Sequence, residues 1–168
     1  MPIPIVHLIP MSEADFPAYR DYFIDDYAKD LASNHRLSLA EAHQQAGDAL
    51  QQYLPQGAAT PGESLLCIIP VSDSVESAIA PTATIAGYLW HRIDTAAHTT
   101  FIYDFYIQPT HRKLGYGKAA MAALEAELKR LGVSQIKLRV AYDNPRARAL
   151  YQEIGFHITG YNMAKTLS

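Results

Sequence analysis

Two hydrophobic rhythms alternate along the chain, and their order predicts its elements. Residues 3–9 alternate weakly at period two and predict an opening strand. Ser12-Glu13-Ala14-Asp15 has the form of a capping box, a hydroxyl three residues ahead of a carboxylate. Phe16, Tyr19, Phe23 and Tyr27 then recur at helical spacing. Ser38-Leu39-Ala40-Glu41 repeats the box and opens a helix predicted to reach about Tyr53. A connection rich in proline and glycine follows over 54–62. Strands are predicted over 64–71, 82–92 and 99–107, with hairpin loops at 72–81 and 94–98 where periodicity lapses. The clearest helix is 115–131, with Met121, Leu124, Leu128 and Leu131 on one face and Gly132 as its stop. Residues 135–140 form a short strand, and Asn144-Pro145 supplies a cap and a first-turn proline. That last helix closes near Gly155, and 156–166 is predicted as a terminal strand. The order gives an α+β fold: a mixed, mostly antiparallel central sheet flanked by helices, with one parallel crossover around the long helix.

Composition narrows the classes. A length of 168 residues at 49% hydrophobic suits one domain spanning 1–168. Such a chain buries a core without disulfides or a structural metal. A net charge of -3 argues against broad binding of nucleic acid or anionic membrane. The single Cys67 forms no internal disulfide and no Cys/His array suggests zinc, so no metal is expected. Inside the apolar run Leu65-Leu66-Cys67-Ile68-Ile69 it reads as a buried strand residue rather than a nucleophile. The first ten residues lack the pattern of a signal peptide. No apolar run approaches the roughly 18–20 residues of a membrane span. A cytoplasmic protein is the expectation that remains.

The strongest chemical signal is Arg112-Lys113-Leu114-Gly115-Tyr116-Gly117-Lys118, after a strand and opening a helix. Glycines let a backbone approach a ligand closely, and the N–H groups of a helix start attract phosphate oxygens. Arg112, Lys113 and Lys118 add positive charge. A solvated basic turn is the plain alternative. Residues 115–120 also fit the dinucleotide pattern GxGxxG/A, but that pattern expects its first glycine almost directly after the strand, whereas 108–114 intervene. A second segment runs from Asn144 to Phe156, with Tyr151 two turns beyond Asn144 on nearly the same helix face. Asn144 as a helix cap and Tyr151 as core packing are its plain readings.

Taken together in this order, the two segments resemble the GNAT superfamily of acetyltransferases, most strongly over 99–156. By that resemblance, Arg112 through Lys118, with Leu114 and Tyr116 among them, holds the CoA pyrophosphate. Asn144, Ala147 and Tyr151 belong to a second CoA-binding segment. Lys113 departs from relatives that carry a glycine there. The resemblance further implies splayed central strands, 99–107 and 135–140, with pantetheine pairing to backbone near Tyr106 and Ile107. One of those N–H groups would polarise the thioester carbonyl. Tyr151 would protonate the departing thiolate. A phenol of pKa about 10 is not far above a thiol at about 8.5.

The acceptor amine must also lose a proton, and Asp104 is the candidate base. It is a lone carboxylate in the otherwise apolar and aromatic strand 101–107. A structural role, bonding a backbone group or a tyrosine hydroxyl, is the other reading, because alternation does not say which face Asp104 occupies. The resemblance places acceptor specificity in the two N-terminal helices. The expectation is an N-acetyltransferase that uses acetyl-CoA as co-substrate and a primary amine as acceptor, by direct attack in a ternary complex. A non-catalytic acyl-CoA sensor and, behind it, a nucleotide-dependent oxidoreductase are the rival readings. The acceptor's identity and the assembly state, a homodimer included, stay open.

Overall fold

The computed structural model describes residues 3–71 and 83–168. The loop expected over 72–81, and Thr82 at the start of its strand, lie outside the described residues. The chain divides into two compact units, Met1–Leu138 and Arg139–Ser168.

The first unit holds a five-stranded sheet in the sequential order β1 (Val6–Pro10), β2 (Ser64–Pro70), β3 (Gly87–Asp94), β4 (Thr99–Ile107), β5 (Gln135–Leu138). Its first four strands pair antiparallel and β4 pairs β5 in parallel. Helices α1 (Phe16–His35) and α2 (Leu39–Tyr53) lie between β1 and β2, and α3 (Tyr116–Arg130) carries the crossover from β4 to β5. The mixed sheet and its one parallel crossover are as the hydrophobic pattern predicted.

Strand alternation divides the sheet into two apolar faces. Leu65, Cys67, Ile69, Tyr88 and Trp90 pack with Tyr19 of α1 and Leu50 of α2 on one side. Val6, Ile68 and Ala86 pack with Ala119 and Ala120 of α3 on the other. The contact between α1 and α2 is built on Ala28, Ala42 and Ala46, small side chains that let two helices approach closely.

Helix boundaries follow local chemistry. Ser38 and Glu41 form the complete reciprocal capping box at α2. The Ser12 and Asp15 side chains bond each other and each other's backbone N–H, yet α1 begins only at Phe16. That box therefore closes the turn that leads into the helix. At the end of α3, Gly132 takes φ 79° and the Val133 N–H reaches back to the Leu128 carbonyl at 2.9 Å, a Schellman closure. Met121, Leu124 and Leu128 are buried as predicted, but Leu131 is 53% exposed. It is the C-cap, where the chain leaves the helical period that set its face.

In the second unit α4 runs Pro145–Glu153. The terminal strand expected over 156–166 does not form, and the segment carries no strand ladder. Strand preference is expressed only where a neighbour supplies ladder partners and a surface to pack on, and Tyr161, Met163 and Leu167 are largely exposed.

Candidate active site

The site in the first unit originates in an irregularity of β4. Trp90 of β3 stands opposite Asp104, but the next residue, His91, stands opposite Ile102. Tyr103 is thus an extra residue, a β-bulge. In an unbroken strand Tyr103 and Asp104 would point to opposite faces. The bulge turns both toward α1: the Tyr103 ring stacks on Trp90 at 4.9 Å, and Asp104 reaches Tyr19 and Tyr22.

Asp104 accepts hydrogen bonds from the Tyr19 hydroxyl at its Oδ2 and the Tyr22 hydroxyl at its Oδ1, each at 3.1 Å. Tyr19 is fully buried, and the Tyr22 ring lies flat against Tyr106 with centroids 3.9 Å apart. Loss of water around the carboxylate raises its pKa from 3.8 to about 7, against the lowering effect of the two phenols and the Phe105 N–H. Both phenols are pushed well above 10, by burial first and then by the Asp104 charge, so they stay protonated and donate. The group can therefore gain or lose a proton near neutral pH. The structural reading of Asp104 and the catalytic one are compatible here, since tyrosine hydroxyls hold a carboxylate whose pKa suits a base.

Further along β4 the sheet opens. Residues Thr99 to Ile102 pair with Gln135 to Leu138, and β5 ends there, so the β4–β5 ladder stops at Ile102 while β4 runs on to Ile107. The Gln108 N–H donates to the Ala86 carbonyl on the β3 side. By strand alternation Tyr106 then bonds toward β3, while Ile107 directs its N–H and carbonyl to the open edge. The Ile107 carbonyl accepts from Arg112 Nε at 2.8 Å, and the guanidinium lies over the Tyr106 ring, 5.3 Å from its centroid. Gly87 makes this junction possible, because a Cβ there would run into the Tyr106 carbonyl oxygen.

After β4 comes a 3-10 turn, Pro109–His111, before the chain enters α3. That turn occupies the position where a dinucleotide fingerprint would already have its first glycine. Lys113 has φ 61° and Gly115 φ 86°, both left-handed. Lys113 thus stands where the backbone favours glycine, and a side chain there costs about 1–2 kcal/mol. Gly115 is doubly required, since a Cβ would also meet Pro4 at 2.9 Å. Helix α3 starts with no side-chain cap and no acidic residue in its first turn, which leaves its leading N–H groups and positive end to an outside anion. Leu114 is exposed, and Tyr116 meets His111 edge to face at 5.6 Å.

In the second unit Asn144 caps α4, its Oδ1 accepting from the Ala147 N–H at 3.1 Å. Tyr151 lies in the last turn of α4, its ring centroid 5.5 Å from that of Phe156, and its carbonyl accepts the Phe156 N–H at 2.9 Å.

In the sequence Tyr19 is legible only as part of the apolar repeat of α1, and Tyr22 lies outside that repeat. Their spacing of three along one helix, in a chain whose aromatic strand 101–107 holds a lone carboxylate, is the available signal. His91 is buried with Nδ1 2.8 Å from the Thr100 hydroxyl, a structural pairing, and burial lowers its pKa. Cys67 is buried and its thiol pushed up to about 12, so it stays protonated. Among the described residues no group of three His, Cys, Asp or Glu is placed to hold a metal ion, and no helix is long and apolar enough to cross a membrane.

Comparison with known proteins bears on the same features. The chain is 29% identical over 164 residues to the uncharacterized N-acetyltransferase YycN of Bacillus subtilis (strain 168), covering 96% of this chain and 99% of that one. The crystal structure of YycN matches with a TM-score of 0.82 at 28% identity, over 97% of this chain and 99% of that one. A spermidine N-acetyltransferase from Vibrio cholerae, solved in complex with CoA and spermine, shares the fold at a TM-score of 0.61 and 17% identity, over 92% of this chain and 82% of that one. The model of the Acetyltransferase (GNAT) family matches residues 73–156, a stretch that takes in the bulged strand, the basic turn and α4. With that match over a mixed sheet that opens beside an uncapped helix start, the chain belongs to the GNAT family of acetyltransferases.

Proposed function

We propose that this protein transfers the acetyl group of acetyl-CoA to a primary amine, by direct attack with both substrates bound. The observation that carries the reading is the second half of β4. Its edge is free of β5, it bears a carboxylate that titrates near neutrality, and it leads into an uncapped basic helix start.

The residues fit CoA. The N–H groups around Gly115 to Lys118, with the charges of Arg112, Lys113 and Lys118, suit its phosphates. The open edge at Ile107 suits its pantetheine amides. Acetyl-CoA supplies an activated acetyl thioester. The Ile107 N–H polarises its carbonyl. Asp104, ionised above about pH 7, takes the proton of the acceptor nitrogen as the new C–N bond forms. The C–S bond breaks, and Tyr151 returns a proton to the sulfur, a role that rests on the family resemblance. Asn144 and Ala147 shape the start of α4 for the second CoA segment. The reaction uses no metal, and a cytoplasmic location accompanies it.

The test is thiol release from acetyl-CoA over a panel of amino acids, peptides, polyamines and aminoglycosides. Release with at least one class, and its loss in Asp104→Asn, is the expected result. CoA binding with no transfer to any amine would replace this reading with that of an acyl-CoA sensor.

A further inference from the structure

We propose that the aromatic surface beside Asp104 is the acceptor-binding wall and that it selects primary amines bearing an aryl group. This rests on the acetyl-transfer reading above. The bulge sets Tyr103 immediately next to Asp104 and on the same face, so an amine that brings its nitrogen to the carboxylate passes the Tyr103 ring. That ring stacks on Trp90 at an interplanar angle of 30°, and Phe101 flanks it with centroids 4.9 Å apart. Trp90 is 2% exposed, and its indole N–H is held by Glu63 Oε2 at 2.8 Å, so the stack has a fixed base. Tyr103 is nonetheless 45% exposed, and Tyr53, edge to face with Trp90 at 6.4 Å, is 57% exposed.

Rigid aromatic rings left open to solvent beside a reactive carboxylate form a surface for a flat apolar group. Offset or edge contacts between aromatic rings add about 0.5–1.5 kcal/mol to the apolar area they bury. The charges nearby do not suit a polycation. Glu63 is already taken by Trp90 and by Arg92 at 2.9 Å. Asp26, the other acid that acts on Asp104, loses water on burial, which raises its pKa against the smaller opposing pull of Lys29 and Arg112. A second ammonium group meets one carboxylate that is already paired and one whose charge burial disfavours, whereas an aryl ring finds Tyr103.

The experiment compares 2-phenylethylamine with n-propylamine as acceptors in the parent, Tyr103→Ala and Tyr103→Phe. In parallel, 2-phenylethylamine is titrated against the fluorescence of Trp90, the chain's single tryptophan. The expected parental kcat/KM favours the aryl amine. The aryl-to-alkyl ratio falls about tenfold in Tyr103→Ala and is kept in Tyr103→Phe, which restores the ring. Trp90 fluorescence should respond saturably in the parent and lose the response in Tyr103→Ala. An unchanged ratio in Tyr103→Ala overturns the proposal, as does a flat Trp90 signal at amine concentrations that saturate turnover. A saturable signal without any acetyl transfer supports the aryl site and sinks the acetyltransferase reading instead.

Discussion

Asp104→Asn is expected to lose activity and, above pH 7, to make the protein more stable. In the native state Asp104 keeps its proton up to about pH 7, against 3.8 for the free group. Between those values the native chain binds a proton that the unfolded chain has released. This group's contribution to stability is therefore full below the unfolded pKa and is lost as pH rises through 7. The gap of about three units corresponds to roughly 4 kcal/mol over the whole window, at 1.36 kcal/mol per unit. Between pH 5 and 8.5 about 3 kcal/mol of it is crossed. Asparagine resembles the neutral acid in size and still bonds the hydroxyls of Tyr19 and Tyr22, but it does not titrate. Urea unfolding of parent and variant at both pH values isolates the effect, since the remaining groups are common to both chains. Relative to the parent, the variant should gain about 3 kcal/mol on going from pH 5 to 8.5, a shift of about 6–12 °C in Tm for a chain of this size. If the difference between the two proteins is the same at both pH values, Asp104 is not desolvated in the folded state. Its fitness as a base near neutrality would go with it.

Three other outcomes follow from the same geometry. Tyr22→Phe removes a hydrogen bond that lowers the Asp104 pKa, so the acid limb of kcat/KM should move up by about one pH unit; an unmoved limb would mean that the hydroxyl does not tune the base. Gly117→Asp puts bulk and negative charge into the first turn of α3, and calorimetric titration should show CoA binding sharply weakened, with parental binding that falls as salt is added; equal affinity in a folded variant would remove the phosphate turn. Tyr151→Phe should lower kcat by roughly 10²–10⁴-fold while CoA affinity is nearly kept; a parental kcat and basic limb would make the hydroxyl structural.

What the sequence determined by itself is what short-range bonding decides. The Ser38–Glu41 box, the Asn144 cap with Pro145 behind it, and the Gly132 stop are satisfied within a few residues, and each helix end stands where its chemistry put it. The bounds of β4, Thr99–Ile107, were equally legible, because Pro109 and the loop 94–98 punctuate them. The family resemblance was readable for a related reason, since both of its segments are contiguous. Tertiary structure decided the face of Asp104. A bulge forms only against a partner strand, and the two phenols that hold the carboxylate stand 85 and 82 residues away in sequence. A carboxylate's pKa is set by the water it loses and the donors it meets, neither of which is local. The same dependence explains the unformed strand over 156–166, whose residues have strand preference but no ladder to join. It also explains Lys113, whose left-handed backbone is imposed by the turn that links β4 to α3 and not by its own preference.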